Sequence, residues 1–233
     1  MQADVASRLT LVEALLADPP AVHPMSHAAD APIGVWSTEP GCYRFIAEHC
    51  PPGSRTLETG SGLSTVLFSA LGADHICCTP AQDEADRVVA HCTSRGFPTE
   101  HLRFEVGSSH ETLPVIERRG EVRDLVLIDG CHGFPLPVVD WFYGASTLRA
   151  GGILVIDDVN LPAVRVARGF LDQDPRWQPM GGTEKWRAWR RLHDGPLAED
   201  WTAQPWFRTK RDRVRQLRQG AQVRVERLLG RRR

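Results

Sequence analysis

The chain has no uninterrupted apolar run near the roughly 18–20 residues that a membrane span needs, so no transmembrane segment is expected. It has no basic start followed by an apolar block; residues 1–17 mix acids and Arg8 into a helical pattern, and no signal peptide is read there. Its six cysteines (Cys42, Cys50, Cys77, Cys78, Cys92 and Cys131) form no C-x-x-C pair and no zinc-like spacing. Three of them fall in or beside apolar segments, the habit of reduced, buried thiols, so a cytoplasmic location is the default expectation. Internal repeats and low-complexity stretches are also missing, and the net charge is only −1.

That small net charge hides an asymmetry. Residues 201–233 carry 11 Lys and Arg against two acids, a balance of +9, which leaves −10 on the rest. Val214, Leu217, Ala221, Val225 and Leu228 follow helical spacing among these arginines. A basic amphipathic helix of this kind lies on an anionic surface, contacts nucleic acid, packs on the acidic body or stays solvated, and spacing alone does not choose.

With 233 residues, 42% of them hydrophobic, the chain is long enough for one α/β domain with a substantial core. Three regions are expected: an N-terminal helix and linker over 1–37, a main domain over 38–195, and the basic tail over 196–233. Leu9, Val12, Leu15 and Leu16 mark the first helix, and a Pro, His and Ala-rich linker follows to Ile33. Thr38 is placed to cap a second helix over 39–50, with Pro40 in its first turn. From there strands and helices alternate. Strands are expected at 56–58, 75–79, 102–106, 124–129 and 153–157, with helices after each. Thr79 to Gln82 reads as a capping box, 149–152 as a turn, and 177–192 as a closing hairpin turning at Gly181-Gly182. Trp177, Trp186 and Trp189 are expected to pack that hairpin. The alternation predicts a doubly wound, mostly parallel sheet.

The densest signal is RTLETGSGLSTV at residues 55–66. A short apolar strand ends at Glu58 and Thr59, then Gly60-Ser61-Gly62 permits a tight turn and close approach of a ligand to the backbone. Ser64 or Thr65 opens the next helix, whose free N-terminal amides face that ligand. Two further strands end in acids, at Asp129 and at Asp157-Asp158. Three carboxylates at neighbouring strand tips repel unless a cation or proton neutralises them, and oxygen ligands suit Mg²⁺, Mn²⁺ or Ca²⁺ rather than zinc. His132, three residues after Asp129, is close enough to face the same site. Asp140, in the following helix, reads as a solvated or capping residue rather than a ligand.

The glycine loop and the two acidic strand ends together resemble class I S-adenosylmethionine-dependent methyltransferases, over roughly residues 38–192. The resemblance implies a seven-stranded sheet of order 3-2-1-4-5-7-6. It puts the methionine part of S-adenosylmethionine over Glu58, Gly60, Ser61 and Gly62, with Thr59, Ser64 and Asp129 also at the cofactor and Ser108 or Ser109 on the adenine side. Where the family commonly carries a ribose-binding acid after its second strand, this chain reads Cys77-Cys78-Thr79-Pro80. Thr79 is the weak substitute, with Asp83 and Glu84 a helical turn further on. The spacing from Asp129 through His132 to Asp157-Asp158 is similar to metal-dependent O-methyltransferases acting on sugars or catechol-type molecules. That likeness implies a metal on Asp129, Asp157 and Asp158, with Asp129 and His132 in catalysis and His132 as the base for a small-molecule hydroxyl.

Missing motifs narrow the chemistry. No Asn/Asp-Pro-Pro-Tyr/Phe follows the fourth strand, against amino-group methylation, and no Pro-Cys dipeptide supplies a cytosine-C5 nucleophile. Thr65 stands where a nicotinamide fingerprint needs its last glycine. The rivals are an RNA- or membrane-associated methyltransferase using the basic tail, a non-methylating hydroxylase-like relative, and a silent binding module. A homo-oligomer is a further expectation.

Overall fold

A computed structural model describes residues 4–195 except 27 and 29, together with 197 and 204; the helix expected over 205–233 lies outside them. Helices α1 (Val5–Ala17) and α2 (Pro40–His49) precede the sheet. The alternating unit then runs β1 (Arg55–Thr59), α3 (Leu63–Ala70), β2 (Asp74–Thr79), α4 (Gln82–Ser94), β3 (Leu102–Val106) and α5 (Ser109–Arg118). It continues through β4 (Arg123–Ile128), α6 (Leu136–Ser146), β5 (Leu148–Ile156) and α7 (Val164–Leu171), and closes with β6 (Trp177–Gly182) and β7 (Arg187–Arg191). These strands form a seven-stranded sheet in the order β3-β2-β1-β4-β5-β7-β6. β1 to β5 pair in parallel, and β7 runs antiparallel to both β5 and β6.

β4 and β5 are apolar without a break over 125–128 and 153–156 because both faces are covered there. Leu125 and Leu127 of β4 join Val155 of β5 in a core with Val12, Ile46, Val66 and Phe68 from α1 to α3. The residues between them, Val126, Ile128, Leu154 and Ile156, pack on the opposite face with Leu113, Ile116, Val164 and Leu171 from α5 and α7. Trp177 and Trp189 sit in this second core and Trp186 in the first, so all three hairpin tryptophans are core residues. Five cysteines are buried and Cys131 is exposed.

Several local expectations yield to tertiary contacts. Residues 149–152 are not a turn: β5 already starts at Leu148, and the pairing with β4 shifts register between Arg123 and Leu125. Gly152 lies so close to its surroundings that a Cβ would stand 2.9 Å from the Arg149 carbonyl oxygen, so the glycines make an irregularity within the strand. Gly181 and Gly182 likewise pair with Ala188 and Arg187, and the hairpin turns beyond them at Thr183 to Trp186. Neither expected threonine cap forms. α2 has Glu39 and α4 has Ala81 at the cap position, without side-chain cap bonds, because Thr38 and Thr79 turn to carboxylates elsewhere. The linker after α1 folds back as a two-residue antiparallel ladder, His23–Pro24 against Ile33–Gly34.

Candidate active site

The strand order reverses beside β1, so the carboxyl ends of β1 and β4 open a crevice in which α/β sheets bind ligands. The chain turns there through Gly60, at φ +86°, where a Cβ would come 2.3 Å from the Asp129 carbonyl oxygen. Gly62 follows at φ +156°, with His23 of the N-terminal ladder 3.3 Å from where a Cβ would lie. Only glycine meets both demands, conformation and space. The crevice holds a cavity of about 530 Å³, within the usual range for a small-molecule site.

Thr59, Gly60, Ser61, Gly62 and Ser64 line this cavity, as do Ser108, Asp129, His132, Asp157 and Asp158. Two residues expected at the ligand do not. Glu58 is fully buried beneath the loop, where its carboxylate accepts hydrogen bonds from Thr65 and from His75, the latter at 3.0 Å. The Thr65 hydroxyl in turn accepts from the Gly62 amide at 2.9 Å, and His75 reaches Thr56 at 2.7 Å. Glu58 therefore braces the glycine turn through Thr65 from beneath the cavity. Thr79 is buried as well, and its hydroxyl donates to Glu84 at 2.7 Å.

Glu84, one of the two acids a helical turn beyond Thr79, takes the place for which Thr79 was expected as a weak substitute. It reaches from the first turn of α4 into the cavity, and one of its oxygens, Oε2, accepts from both Thr79 and Ser61, the latter at 2.9 Å. A carboxylate thus stands after the second strand although no acid ends it. The available signal was the acidic pair in the first turn; Asp83, its neighbour, points outward to Arg87 instead. Trp36 was missed. It lines the cavity with 65% of its surface exposed.

The acids at the tips of β4 and β5 are divided by their partners. Asp157 is 2% exposed; Oδ1 accepts from the Thr38 hydroxyl at 2.6 Å and Oδ2 from the Lys185 ammonium at 2.8 Å. Asp158 Oδ1 accepts from the same ammonium at 2.8 Å, and Oδ2 lies 3.4 Å from His132 Nδ1. His132 Nε2 is 3.8 Å from Asp129 Oδ1. The possible donor atoms that converge are those of Asp129, His132 and Asp158, while Asp157 is taken up by Thr38 and Lys185. Burial and the neighbouring Asp157 push the Asp129 carboxyl well above the usual range. Burial works against the Lys185 ammonium, but its bonds to Asp157 and Asp158 win and hold it above the ordinary lysine range.

Asp140 is neither solvated nor a cap. It is fully buried under the site, and neither of its oxygens has a hydrogen-bond partner among the described residues. A Cβ on Gly130 would lie 3.4 Å from Asp140 Oδ2 and 3.1 Å from Thr59 Oγ1. Burial pushes its carboxyl up to about 6, against the pull of the nearby Ser109 and Thr59 hydroxyls.

No helix among the described residues is long and apolar enough to cross a membrane. A search of curated proteins finds no match. Among solved structures, the chain is similar to the O-methyltransferase TomG of Streptomyces achromogenes, involved in tomaymycin synthesis and solved with S-adenosylmethionine. The two share 14% identity at a TM-score of 0.56, over 83% of this chain and 92% of that one. It is similar to cofactor-bound Rv0187 from MTB, at 19% identity and a TM-score of 0.53 over 83% and 92% of the two chains. A methyltransferase from Geobacter sulfurreducens is similar at 12% identity and a TM-score of 0.54, again over 83% and 92%. At such identities these likenesses concern the fold. Residues 57–159 match the family model described as a methyltransferase domain, a span running from β1 through the glycine loop to just past Asp158. Over that span, and in the order of the sheet that carries it, the chain is similar to a methyltransferase domain.

Proposed function

We propose that the enzyme methylates a hydroxyl oxygen of a small molecule, a sugar or another polyol among them, with S-adenosylmethionine in the cavity at the β1–β4 crevice. The observation that carries the reading is the meeting, in one cavity of about 530 Å³, of the glycine loop with His132 and the acidic ends of β4 and β5. When bound, S-adenosylmethionine supplies an electrophilic methyl group on a sulfonium. Ser61 and Ser64 offer backbone amides to its methionine part, while Gly60 and Gly62, whose own amides are tied to the Cys78 carbonyl and the Thr65 hydroxyl, let the backbone come close to it. The second oxygen of Glu84 accepts from the ribose hydroxyls, with Thr79 and Ser61 fixing the first. Ser108 serves the adenine side, and Trp36 gives the acceptor a flat apolar wall at the mouth. His132, between Asp129 and Asp158, takes the hydroxyl proton as general base.

The resemblance implies Mg²⁺ or Mn²⁺ on Asp129, Asp157 and Asp158. The contacts here do not fit that set, since Asp157 has both oxygens engaged and an ammonium bridges it to Asp158. No step is routed through a metal.

Calorimetry with S-adenosylmethionine and its demethylated product tests the reading. The purified protein should bind both, and Gly60→Val should abolish binding, because its side chain enters space only a glycine leaves open. A folded Gly60→Val protein with undiminished affinity would remove the loop from the site, and a preference for a nicotinamide cofactor would overturn the class.

A further inference from the structure

We infer that Lys185 is the resident cation of the Asp157–Asp158 pair and that its ammonium, rather than a divalent metal, holds the acceptor oxygen for methyl transfer. The inference rests on the O-methyltransferase reading above.

Three features of the site support it. First, the ammonium is 2.8 Å from one oxygen of each aspartate, and the remaining Asp157 oxygen is closed by Thr38 at 2.6 Å. A divalent ion at this pair would have to displace the lysine or sit beside a like charge. Second, Lys185 is no loose surface chain. Its carbonyl accepts from the Val159 amide at 2.7 Å, and its own amide donates to Thr183 Oγ1 at 3.0 Å. The Thr183 hydroxyl is fixed in turn on Glu39 at 2.7 Å. The hairpin tip is thereby tied to the end of β5 and the start of α2, and it delivers the ammonium to the cavity wall. Third, Asp158 is the one non-glycine among the described residues at positive φ, +51°. A residue held there against its preference indicates a constrained position, and this backbone puts its carboxylate between Lys185 and His132.

An ammonium has three N–H groups. Two go to the aspartates, which leaves one for an oxygen in the cavity. The group of one ammonium and two carboxylates carries a net charge of −1, which suits the sulfonium of the methyl donor. In the reaction the third N–H of Lys185 donates to the acceptor hydroxyl oxygen, and His132 receives the hydroxyl proton. The freed oxygen pair forms the O–CH₃ bond while the S–CH₃ bond breaks and its pair stays on sulfur. The acceptor leaves as a methyl ether, and His132 returns its proton to water.

Mn²⁺ binding to the full chain, read from the paramagnetic resonance of the free ion, tests the assignment. Wild type and Lys185→Arg should show no saturable site. Lys185→Met, which keeps bulk but loses charge, should bind Mn²⁺ at least about tenfold more tightly than wild type, because the carboxylate pair loses its counter-ion. Adding Asp158→Asn to Lys185→Met should remove that gain. Equal Mn²⁺ affinity in wild type and Lys185→Met would overturn the inference. Should Lys185→Met fail to fold, a saturable wild-type site that Asp157→Asn abolishes would overturn it as well, and its absence would support it. S-adenosylmethionine calorimetry on the same samples keeps the two claims apart. A wild type that ignores the cofactor ends the methyltransferase reading of this cavity, while the Mn²⁺ comparison still reports which cation the pair holds.

Discussion

Asp140→Asn should free the fold of a pH-dependent cost that wild type carries above about pH 6. The carboxyl is fully buried with no hydrogen-bond partner among the described residues, and it is pushed from 3.8 to about 6. Because the folded value is raised, the native state binds the proton more tightly than the unfolded chain. Its stabilising contribution is therefore complete below pH 3.8 and disappears as pH rises through about 6. A shift of about 2 units corresponds to about 3 kcal/mol in all, of which about 1.4 kcal/mol falls between roughly pH 5 and pH 8. Asparagine has the same shape and no charge, and its amide also lacks partners, a defect independent of pH. The useful quantity is thus a double difference: wild type against Asp140→Asn in denaturant unfolding, near pH 5 and again near pH 8. The variant should gain about 1.4 kcal/mol on wild type across that interval, whatever its absolute stability. A double difference near zero would mean that Asp140 titrates as an exposed carboxyl does, and the inferred burial cost beneath Gly130 would be refuted.

Glu84→Gln keeps the bonds from Ser61 and Thr79 feasible but removes the charge offered to the ribose; the cofactor's Kd should rise about tenfold, the scale of one charge-assisted hydrogen bond. Unchanged calorimetric affinity would remove Glu84 from the cofactor site. His132→Ala should leave cofactor affinity intact and lower kcat by roughly 10²- to 10⁴-fold, the ordinary reach of a general base. Full turnover in that variant would demote His132 to a structural role. Deleting residues 205–233 removes most of the +9 segment, so binding to anionic vesicles or RNA near physiological ionic strength should weaken while cofactor affinity stays. Loss of cofactor affinity on truncation would instead make the tail part of the active site.

What was legible from the sequence is what local chemistry dictates. Glycines at 60 and 62 after a strand meant a turn against a ligand; both take a backbone conformation that favours glycine, and at Gly60 a Cβ would also meet the Asp129 carbonyl. The unbroken apolar runs of β4 and β5 meant strands covered on two faces. Side chains that leave a local partner for a stronger one were illegible. Thr38 and Thr79 satisfy the local rule for a helix cap, yet a carboxylate is a stronger acceptor for a hydroxyl than a cap amide is a donor to it, and one stood within reach of each. Asp157, 119 residues from Thr38, took the first and Glu84 the second. Neither spacing nor periodicity encodes the first meeting; the second spans five residues and competed with the cap rule. Glu58 misled for the same reason, since its place at a strand end said nothing of His75 waiting on the next strand.

The acidic cluster shows how far such reasoning reaches. Carboxylates crowded at neighbouring strand tips demand positive charge, and that demand follows from Coulomb's law without any structure. The supplier does not, because a hairpin tip 27 residues beyond Asp158 reaches the cluster only once β7 has paired antiparallel to β5. A metal was the natural answer to three carboxylates at two strand tips with no cation near them in sequence. With the chain folded, Lys185 meets the demand at Asp157 and Asp158. At Asp129, burial and the nearby Asp157 outweigh the pull of Lys185, and its carboxyl holds the proton more tightly.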